Sequence, residues 1–224
     1  MLRRIILVVV VLLAAGLSTV YGSGAFAATL PVVRCPTEFG ISGSSHPTPP
    51  TLTDHSSPST GGLVAYTNTQ AYLVGPRGMR CSGIVAADGG SQVIVWPQGH
   101  SRPSFHAHTA GLTLTLDPAC AACRAEDACP FFTTLARDLR FPCRSGIPQD
   151  ERVYHLRSNI VLFEDPPGVA GSGWPSGGAD PANGLVGVAG SPENGLVYRS
   201  TCTLPASEHS ICTASLNDLI NRYG

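Results

Sequence analysis

Short stretches of alternating or continuous hydrophobic residues follow one another along the middle of the chain, a pattern typical of strands in a half-buried sheet. Residues 112–116 alternate Leu and Thr, so we expect the leucines to face a core and the threonines to face outward. Residues 83–86 and 92–96 flank Asp88-Gly89, a step that favours the positive φ angles of a tight hairpin turn. Further strands are predicted at residues 63–66, 71–74, 153–156 and 160–163.

Two segments carry hydrophobic residues at helical spacing. In residues 127–139, Phe131, Leu135 and Leu139 recur at every fourth position, which predicts one helix in a cysteine-rich insert. A second helix is predicted over residues 205–222, and its hydrophobic stripe consists of Cys212, Leu216, Leu219, Ile220 and Tyr223. These elements predict an α+β fold: a mostly antiparallel sheet with a C-terminal helix and a short cysteine-rich helical insert, stapled by disulfides.

The N-terminal part of the chain has a different composition from the strand-rich body. Residues 41–62 are rich in Ser, Thr, Pro and Gly and offer few side chains to a core. We therefore predict an N-terminal arm and linker over residues 28–62, followed by a single disulfide-stabilised domain over residues 63–224.

A second region rich in Gly and Pro lies between Phe163 and Tyr198. The sequence predicts a long loop here with little regular structure, and loops of that length in a compact domain are usually functional or mobile. Trp174 and Asn183 are its candidate binding residues.

Residues 1–27 have the pattern of a secretory signal peptide. Arg3-Arg4 precedes an apolar run over residues 5–17, and the segment ends in Ala25-Phe26-Ala27, whose small residues fit a signal peptidase. We expect cleavage after Ala27 and a secreted, extracellular mature chain. The alternative is a retained membrane anchor, but the apolar run is shorter than the roughly 20 residues of a spanning helix.

Cysteine usage extends this interpretation. All eight cysteines follow the signal segment, and an even number in an exported chain is typical of a disulfide framework. We expect Cys202 to pair with Cys212 across the start of the terminal helix, and Cys35 to pair with Cys81, which would pin the arm to the body. The other four are expected to pair among themselves; they are Cys120, Cys123, Cys129 and Cys143.

Cys120 and Cys123 form a C-x-x-C motif between a predicted strand and a predicted helix, which is the layout of a thiol oxidoreductase. Pro130 interrupts the helix and no βαβ unit precedes the motif, so structural disulfides are the favoured interpretation and redox catalysis is an alternative. A zinc site built from the four central cysteines is disfavoured by an oxidising compartment. We therefore expect no metal and no other cofactor.

The charge of the chain is nearly balanced, with a formal net charge of −1. This balance gives no electrostatic reason to expect nucleic acid or an anionic membrane as a partner. All 14 cationic residues are Arg, and Ala, Gly and Pro are abundant. We attribute this composition to the codon bias of a GC-rich genome rather than to function.

Two pairs of polar residues are candidates for catalysis. His106 and His108 would point to the same side of a strand and could share a metal, but neighbouring Pro and Gly favour a loop with solvated imidazoles. Glu164 and Asp165 precede a Pro-Pro-Gly turn and could form an acid–base pair or a cation site. Solvated acids at the end of a strand are the favoured interpretation of this second pair.

Several stretches are similar to a group of exported actinobacterial proteins of uncharacterised function. They cover most of the chain from about Leu63 onward and are LVGPRGMRC at 73–81, CPFF at 129–132, FEDPPGV at 163–169, PSGG at 175–178, PANG at 181–184, TCTLP at 201–205 and CTASLN at 212–217. The resemblance implies export and a single domain. It implies no activity, cofactor or catalytic residue.

Together these features predict an exported protein that binds an extracellular or cell-wall ligand and is not an enzyme. One alternative is an extracellular hydrolase that uses Glu164 and Asp165 with His106 or His108. The second is the thiol oxidoreductase described above. We expect no nucleic-acid partner, and no association with a membrane once the signal has been removed.

Overall fold

The computed structural model describes residues 28–40, 53–54, 62–100, 111–173, 175, 177–190 and 195–223 of the 224-residue chain. The predicted signal peptide and its cleavage site lie outside these residues, as does most of the segment predicted to be a linker. Within the described residues, no helix has the length and apolar character needed to cross a membrane.

The described residues form thirteen strands and three α-helices. The strands are β1 (Ala28–Thr29), β2 (Val32–Arg34), β3 (Thr37–Phe39), β4 (Thr53–Asp54), β5 (Leu63–Thr67), β6 (Tyr72–Pro76), β7 (Arg80–Val85), β8 (Ser91–Trp96), β9 (Leu112–Asp117), β10 (Arg152–Arg157), β11 (Ile160–Asp165), β12 (Ala182–Ala189) and β13 (Leu196–Cys202). The helices are α1 (Ala121–Ala128), α2 (Thr133–Asp138) and α3 (His209–Tyr223), and a 3-10 turn (Ala206–Glu208) leads into α3.

Eight strands form the main sheet, in the order β10-β11-β12-β13-β9-β8-β7-β3. A second sheet has the order β2-β5-β6, and β1 pairs with β4. The pairs are antiparallel except for β2–β5 and β3–β7, where the N-terminal strands join the two larger sheets in parallel. This architecture confirms the predicted α+β fold with a mostly antiparallel sheet, a C-terminal helix and a cysteine-rich helical insert.

One face of the main sheet carries the principal core. Leu112, Leu114 and Leu116 point to this face, as the alternation of Leu and Thr predicts, and their side chains are almost fully buried. The three-stranded sheet and α3 cover them, with the fully buried Leu73 and Leu219 among the covering side chains.

The opposite face of the main sheet is covered only in part. There α1 and the turn after it pack on β11, β12 and β13, and the Phe131 ring stacks on the Phe163 ring with centroids 5.3 Å apart. The face beyond this contact, over β8, β9 and the end of β13, lines a cleft described below.

The single helix predicted over residues 127–139 is wrong in its bounds. The structure has two helices, α1 and α2, which are separated by residues 129–132. Pro130 lacks a backbone N–H and its ring obstructs a continuing helix, so the helical spacing of Phe131 and Leu135 does not extend through it. Helix α1 lacks large hydrophobic residues and buries small ones, Ala125 and Ala128, so its sequence has no strong hydrophobic stripe.

The prediction of little regular structure between Phe163 and Tyr198 agrees with the described residues from 166 to 181, which form no helix or strand. It is wrong for residues 182–189, because these eight residues form the interior strand β12. Two glycines in this strand make room for aromatic rings of its neighbours. A Cβ atom at Gly184 would overlap the Phe163 ring, and one at Gly187 would overlap the Tyr198 ring. These two glycines therefore belong to a tightly packed sheet.

The eight cysteines form four disulfides, and none of them is free. Cys35 pairs with Cys81 and Cys202 with Cys212, as predicted, and the central four pair among themselves. The two central pairs are Cys120–Cys123 and Cys129–Cys143.

Candidate functional site

A broad cleft of about 920 Å³ lies on the partly covered face of the main sheet. Strands β8, β9 and β13 provide its floor. Its walls come from α1, from residues 141–148, which follow α2, and from residues 171–173 and 175. The Cys129–Cys143 disulfide ties the 141–148 segment to the end of α1.

The floor of the cleft carries several polar side chains beside the apolar Ile94, whereas the other face of the same strands is mainly apolar. Thr113, Thr115 and Thr201 line it at alternate positions of β9 and β13. The hydroxyls of Thr113 and Thr201 lie 2.5 Å apart and share a hydrogen bond, and Gln92 Nε2 lies 3.4 Å from Thr115 Oγ1. Hydroxyl and amide groups at the base of a concave surface are the groups that orient a bound ligand.

Arg199 places a positive charge on this floor, directly across from Thr115 in the strand register. Its guanidinium donates hydrogen bonds to the carbonyl oxygens of Ser172, at 2.8 Å, and Cys129, at 3.4 Å. It also lies 5.6 Å from the centroid of the Phe163 ring. The side chain therefore links the sheet to the helical insert and to the wall at Ser172.

Two carboxyl groups meet at the end of the cleft near β9 and α1. Asp117 is the last residue of β9, and Asp127 lies in the last turn of α1. Burial, together with the hydrogen bond and the negative charge of Asp127, raises the pKa of Asp117 to about 8. Burial also raises the pKa of Asp127, although its hydrogen bond with Asp117 and the charge of Arg199 oppose that effect. We conclude that Asp117 keeps a proton at neutral pH and donates it in a hydrogen bond to Asp127.

The Asp127 side chain has a second notable property. Its Oδ2 atom is buried and has no hydrogen-bond partner among the described residues. Buried oxygens without a partner are rare in folded proteins because each loses its hydration without compensation. Asp127 and Asp117 both line the cleft, so the pair places two carboxyl groups in its wall.

A second acidic pair holds one wall in place. Glu151 accepts hydrogen bonds from the backbone N–H and the hydroxyl of Ser172, and Asp165 accepts one from the N–H of Gly173 at 2.6 Å. Burial raises the pKa of Glu151, and the hydrogen bond and charge of Asp165 add to that effect, whereas the bonds from Ser172 oppose it. Asp165 thus anchors the backbone of the cleft wall.

The structure does not bring Glu164 and Asp165 together. They are neighbours on β11, so their side chains point to opposite faces of the sheet. Asp165 is buried on the cleft side, and Glu164 lies 3.5 Å from Arg152 on the other side. This placement does not support an acid–base pair formed by these two residues.

The other predicted site residues fall into two groups. His106, His108 and Trp174 lie outside the described residues. Asn183 belongs to the interior strand β12, where it pairs with Glu164 and Cys202 on the neighbouring strands. It shares a sheet face with Leu185, which packs in the principal core, so it points away from the cleft.

The C-x-x-C motif lies in the wall of the cleft. Cys120 is the N-cap residue of α1, and its Sγ atom accepts a hydrogen bond from the N–H of Cys123 at 3.1 Å. Cys123 lines the cleft. A carboxylate oxygen of Asp88 and the two sulfur atoms all lie within 4.8 Å of one another. This is a possible group of three metal ligands among the described residues, but sulfur atoms joined in a disulfide cannot bind a metal as thiolates.

Sequence reasoning missed the most informative residues of the cleft, Asp117, Asp127 and Arg199. One signal was available for Asp117: it continues the outward-facing positions of Thr113 and Thr115 at the end of the clearest predicted strand. No comparable signal marked Asp127, because the helix that carries it was predicted to begin at that residue.

Comparisons with known proteins add no relative. No family model, no curated protein and no solved structure matches this chain.

Proposed function

We propose that this protein is an exported binding protein without catalytic activity, and that its extracellular or cell-wall ligand occupies the cleft on the main sheet. The observation that carries this proposal is the row of polar side chains on the cleft floor. Gln92, Thr115 and Arg199 lie side by side on three neighbouring strands, on a surface that the insert covers only in part. The four disulfides are compatible with an exported protein.

Several contacts support binding by fixing the walls before a ligand arrives. The Cys129–Cys143 disulfide restrains one wall, and the hydrogen bonds of Glu151 and Asp165 restrain residues 172–173. Arg199 is held by two carbonyl oxygens. A site whose groups are already ordered loses less conformational entropy on binding, so more of the interaction energy appears as affinity.

The chemistry of the lining favours a polar ligand with hydroxyl or amide groups. The floor offers the hydroxyls of Thr113, Thr115 and Thr201 and the amide of Gln92, while Ile94 on the floor and Phe141 at the rim add apolar surface. Such a mixture suits fragments of a cell-wall polymer, in which sugar rings and short peptides both present amides and hydroxyls.

The proposal is tested by calorimetric titration of the mature chain with soluble peptidoglycan fragments, with a chitin oligosaccharide as a second probe. Thr201→Val keeps the shape of the side chain but removes a hydroxyl from the floor, so we expect at least one probe to bind the parent and the variant to bind it about tenfold more weakly. Thr213→Val, at an exposed position of α3, is the matched control and should bind as the parent does.

A fluorescence titration gives an independent measurement. In the sequence, Trp174 stands between Gly173 and Pro175, both of which line the cleft. We expect the ligand to change the fluorescence of the parent, and Trp174→Phe to remove most of that change. Equal binding by parent and Thr201→Val would place the ligand elsewhere and contradict the proposal.

A hydrolase remains the second candidate, and one observation favours a different pair of acids from the one predicted. Asp117 and Asp127 line the cleft with one proton held between them, and two carboxyl groups in different protonation states are the usual means of acid–base hydrolysis. Turnover of a cell-wall polymer by the parent, lost in Asp117→Asn and Asp127→Asn, would support this function. Turnover that both variants retain would exclude the pair.

A further inference from the structure

The four disulfides differ in how much of the chain they enclose. Cys120 and Cys123 are separated by 3 positions, whereas the other pairs are separated by 10, 14 and 46. A disulfide stabilises a protein chiefly by restricting the unfolded chain, and the effect grows with the length of the loop. The Cys120–Cys123 bond therefore contributes least to stability and can open at the least cost to the fold.

The same bond can be reached from the cleft. Both cysteines are partly exposed, and Cys123 lines the cleft. By contrast, Cys202 and Cys212 are almost completely buried, at 1% and 0% exposure. An attacking thiolate that enters the cleft thus has access to the short disulfide and not to that deeply buried pair. Cys129 and Cys143 also line the cleft and are partly exposed, so the length of the enclosed loop, and not access, distinguishes the two disulfides of the cleft wall.

The geometry at the start of α1 favours opening of the bond in one direction. Attack on Cys123 makes Cys120 the leaving group, and Cys120 Sγ already accepts the N–H of Cys123 at the helix N-terminus. Hydrogen-bond donors and the positive end of the helix dipole stabilise a thiolate at this position. The carboxylate of Asp88, close to both sulfur atoms, opposes that stabilisation.

A separate observation concerns an unsatisfied polar group at this end of the cleft. Asp127, in the last turn of the same helix, lines the cleft and has a buried Oδ2 atom without a partner among the described residues. A backbone or side-chain N–H of a bound polypeptide would satisfy this oxygen.

We propose that Cys120 and Cys123 form a redox-active disulfide that oxidises a pair of cysteine thiols in a polypeptide bound in the cleft. This activity would be additional to the ligand binding proposed above, and its detection would restrict the absence of catalysis proposed there to the cell-wall ligand. The C-x-x-C motif would then be a site of thiol–disulfide exchange in addition to a structural disulfide.

The exchange has two steps. A thiolate of the polypeptide attacks Cys123 Sγ, a bond forms between these two sulfurs, and the Cys120–Cys123 bond breaks to release the Cys120 thiolate. The second thiolate of the polypeptide then attacks its own mixed-disulfide sulfur and releases Cys123. The polypeptide loses two electrons and two protons and becomes a disulfide, and Cys120 and Cys123 gain them as thiols. Cys120 and Cys123 are then reoxidised by exchange with another disulfide. That disulfide belongs to a second protein or is the oxidised form of a low-molecular-weight thiol.

The first experiment measures which disulfide opens in the folded protein. The mature chain is equilibrated in glutathione redox buffers, quenched in acid and alkylated, and the labelled cysteines are assigned by peptide mass spectrometry. We expect Cys120 and Cys123 to be labelled together under conditions that leave the other six cysteines oxidised. A pair that stays oxidised until denaturant is added, or four pairs that open together, would overturn the proposal.

The second experiment tests the chemistry with a synthetic peptide that carries two cysteines. The parent should speed oxidation of this peptide by glutathione disulfide, and Cys120→Ala with Cys123→Ala should abolish the effect. Asp88→Asn removes the charge beside the sulfur atoms but keeps the oxygen that accepts the Gly90 N–H, so it should increase the rate several-fold. Asp138→Asn, an exposed charge change on α2, is the control and should not alter the rate.

These outcomes remain decisive if the double alanine variant fails to fold, because the alkylation experiment and the Asp88→Asn comparison use chains that keep all four disulfides. Equal rates for Asp88→Asn and Asp138→Asn would show that the short disulfide does not control the reaction.

Discussion

At the scale of single residues, the most unusual feature is the carboxyl pair of Asp117 and Asp127. Asp117 ends β9, and Asp127 lies on α1, which follows β9 in the chain and packs on the main sheet. The two side chains meet because of this packing. The surrounding protein excludes water from the pair, so one proton remains on Asp117 at a pH at which an exposed carboxyl would be ionised. The pair therefore links the stability of the fold to pH.

We predict that Asp117→Asn stabilises the protein at neutral and alkaline pH. The pKa of Asp117 rises from its ordinary value of 3.8 to about 8 in the folded state, so between these values the folded state holds a proton that the unfolded chain has lost. Stability must then fall as pH rises through this window, and Asn, which cannot ionise, removes that loss. Urea unfolding at pH 4, 6 and 8 should show a gain for the variant that is absent at pH 4 and largest at pH 8. A gain that does not change with pH would contradict the assignment.

At the scale of elements, the sequence predicted those whose hydrophobic pattern is regular. The hairpin of β7 and β8, strand β9 and helix α3 all have such patterns and were found close to their expected bounds. Strand β12 was missed because glycines are typical of loops. In the structure, Gly184 and Gly187 leave space for aromatic rings of the neighbouring strands. Helix α1 was missed because it buries alanines, whose small side chains give no clear stripe.

We predict that Gly184→Ala destabilises the fold by about 2 kcal/mol or more, since the new methyl group must displace the Phe163 ring in a closely packed region. Gly146→Ala is the matched control, because a Cβ atom there meets nothing within 4 Å. Thermal unfolding should show a clear loss for the first variant and little change for the second. Equal effects would mean that Gly184 is not needed for packing.

The wall segment around Ser172 gives a second prediction for an element. Glu151→Ala removes the acceptor of both the N–H and the hydroxyl of Ser172, so the amide of Ser172 should exchange with deuterium at least several-fold faster. Asp150→Ala, at the exposed neighbouring position, is the control. Unchanged exchange at Ser172 would show that other contacts hold this wall.

At the scale of the whole molecule, the cleft is an assembly of distant parts of the chain. Its floor joins three strands, and its walls come from the helical insert and the segment between β11 and β12. Alternation in β9 could predict that the threonines face away from the core, but not that a helix from the insert would bring Asp127 beside Asp117. Which groups converge depends on long-range packing, and a local pattern carries little information about that packing.

The disulfides allow a prediction for the molecule as a whole. Removal of the Cys35–Cys81 pair by alanine substitutions should cost about 4 kcal/mol, because a separation of 46 positions gives a large loop entropy. Removal of Cys120–Cys123 should cost about 2 kcal/mol, because its separation is only 3. Urea unfolding of the two variants checks the order. A larger loss for the short pair would contradict a mainly entropic role.

The connectivity of the four bonds has a consequence for how the chain matures. Each cysteine is joined to the next one along the sequence, the first to the second, the third to the fourth and so on, with no bond enclosing another. A polypeptide that emerges N-terminus first presents its thiols in this same order. Oxidation of each successive pair as it appears would therefore produce the native set directly, and such a chain has little need of an isomerase to correct its bridges.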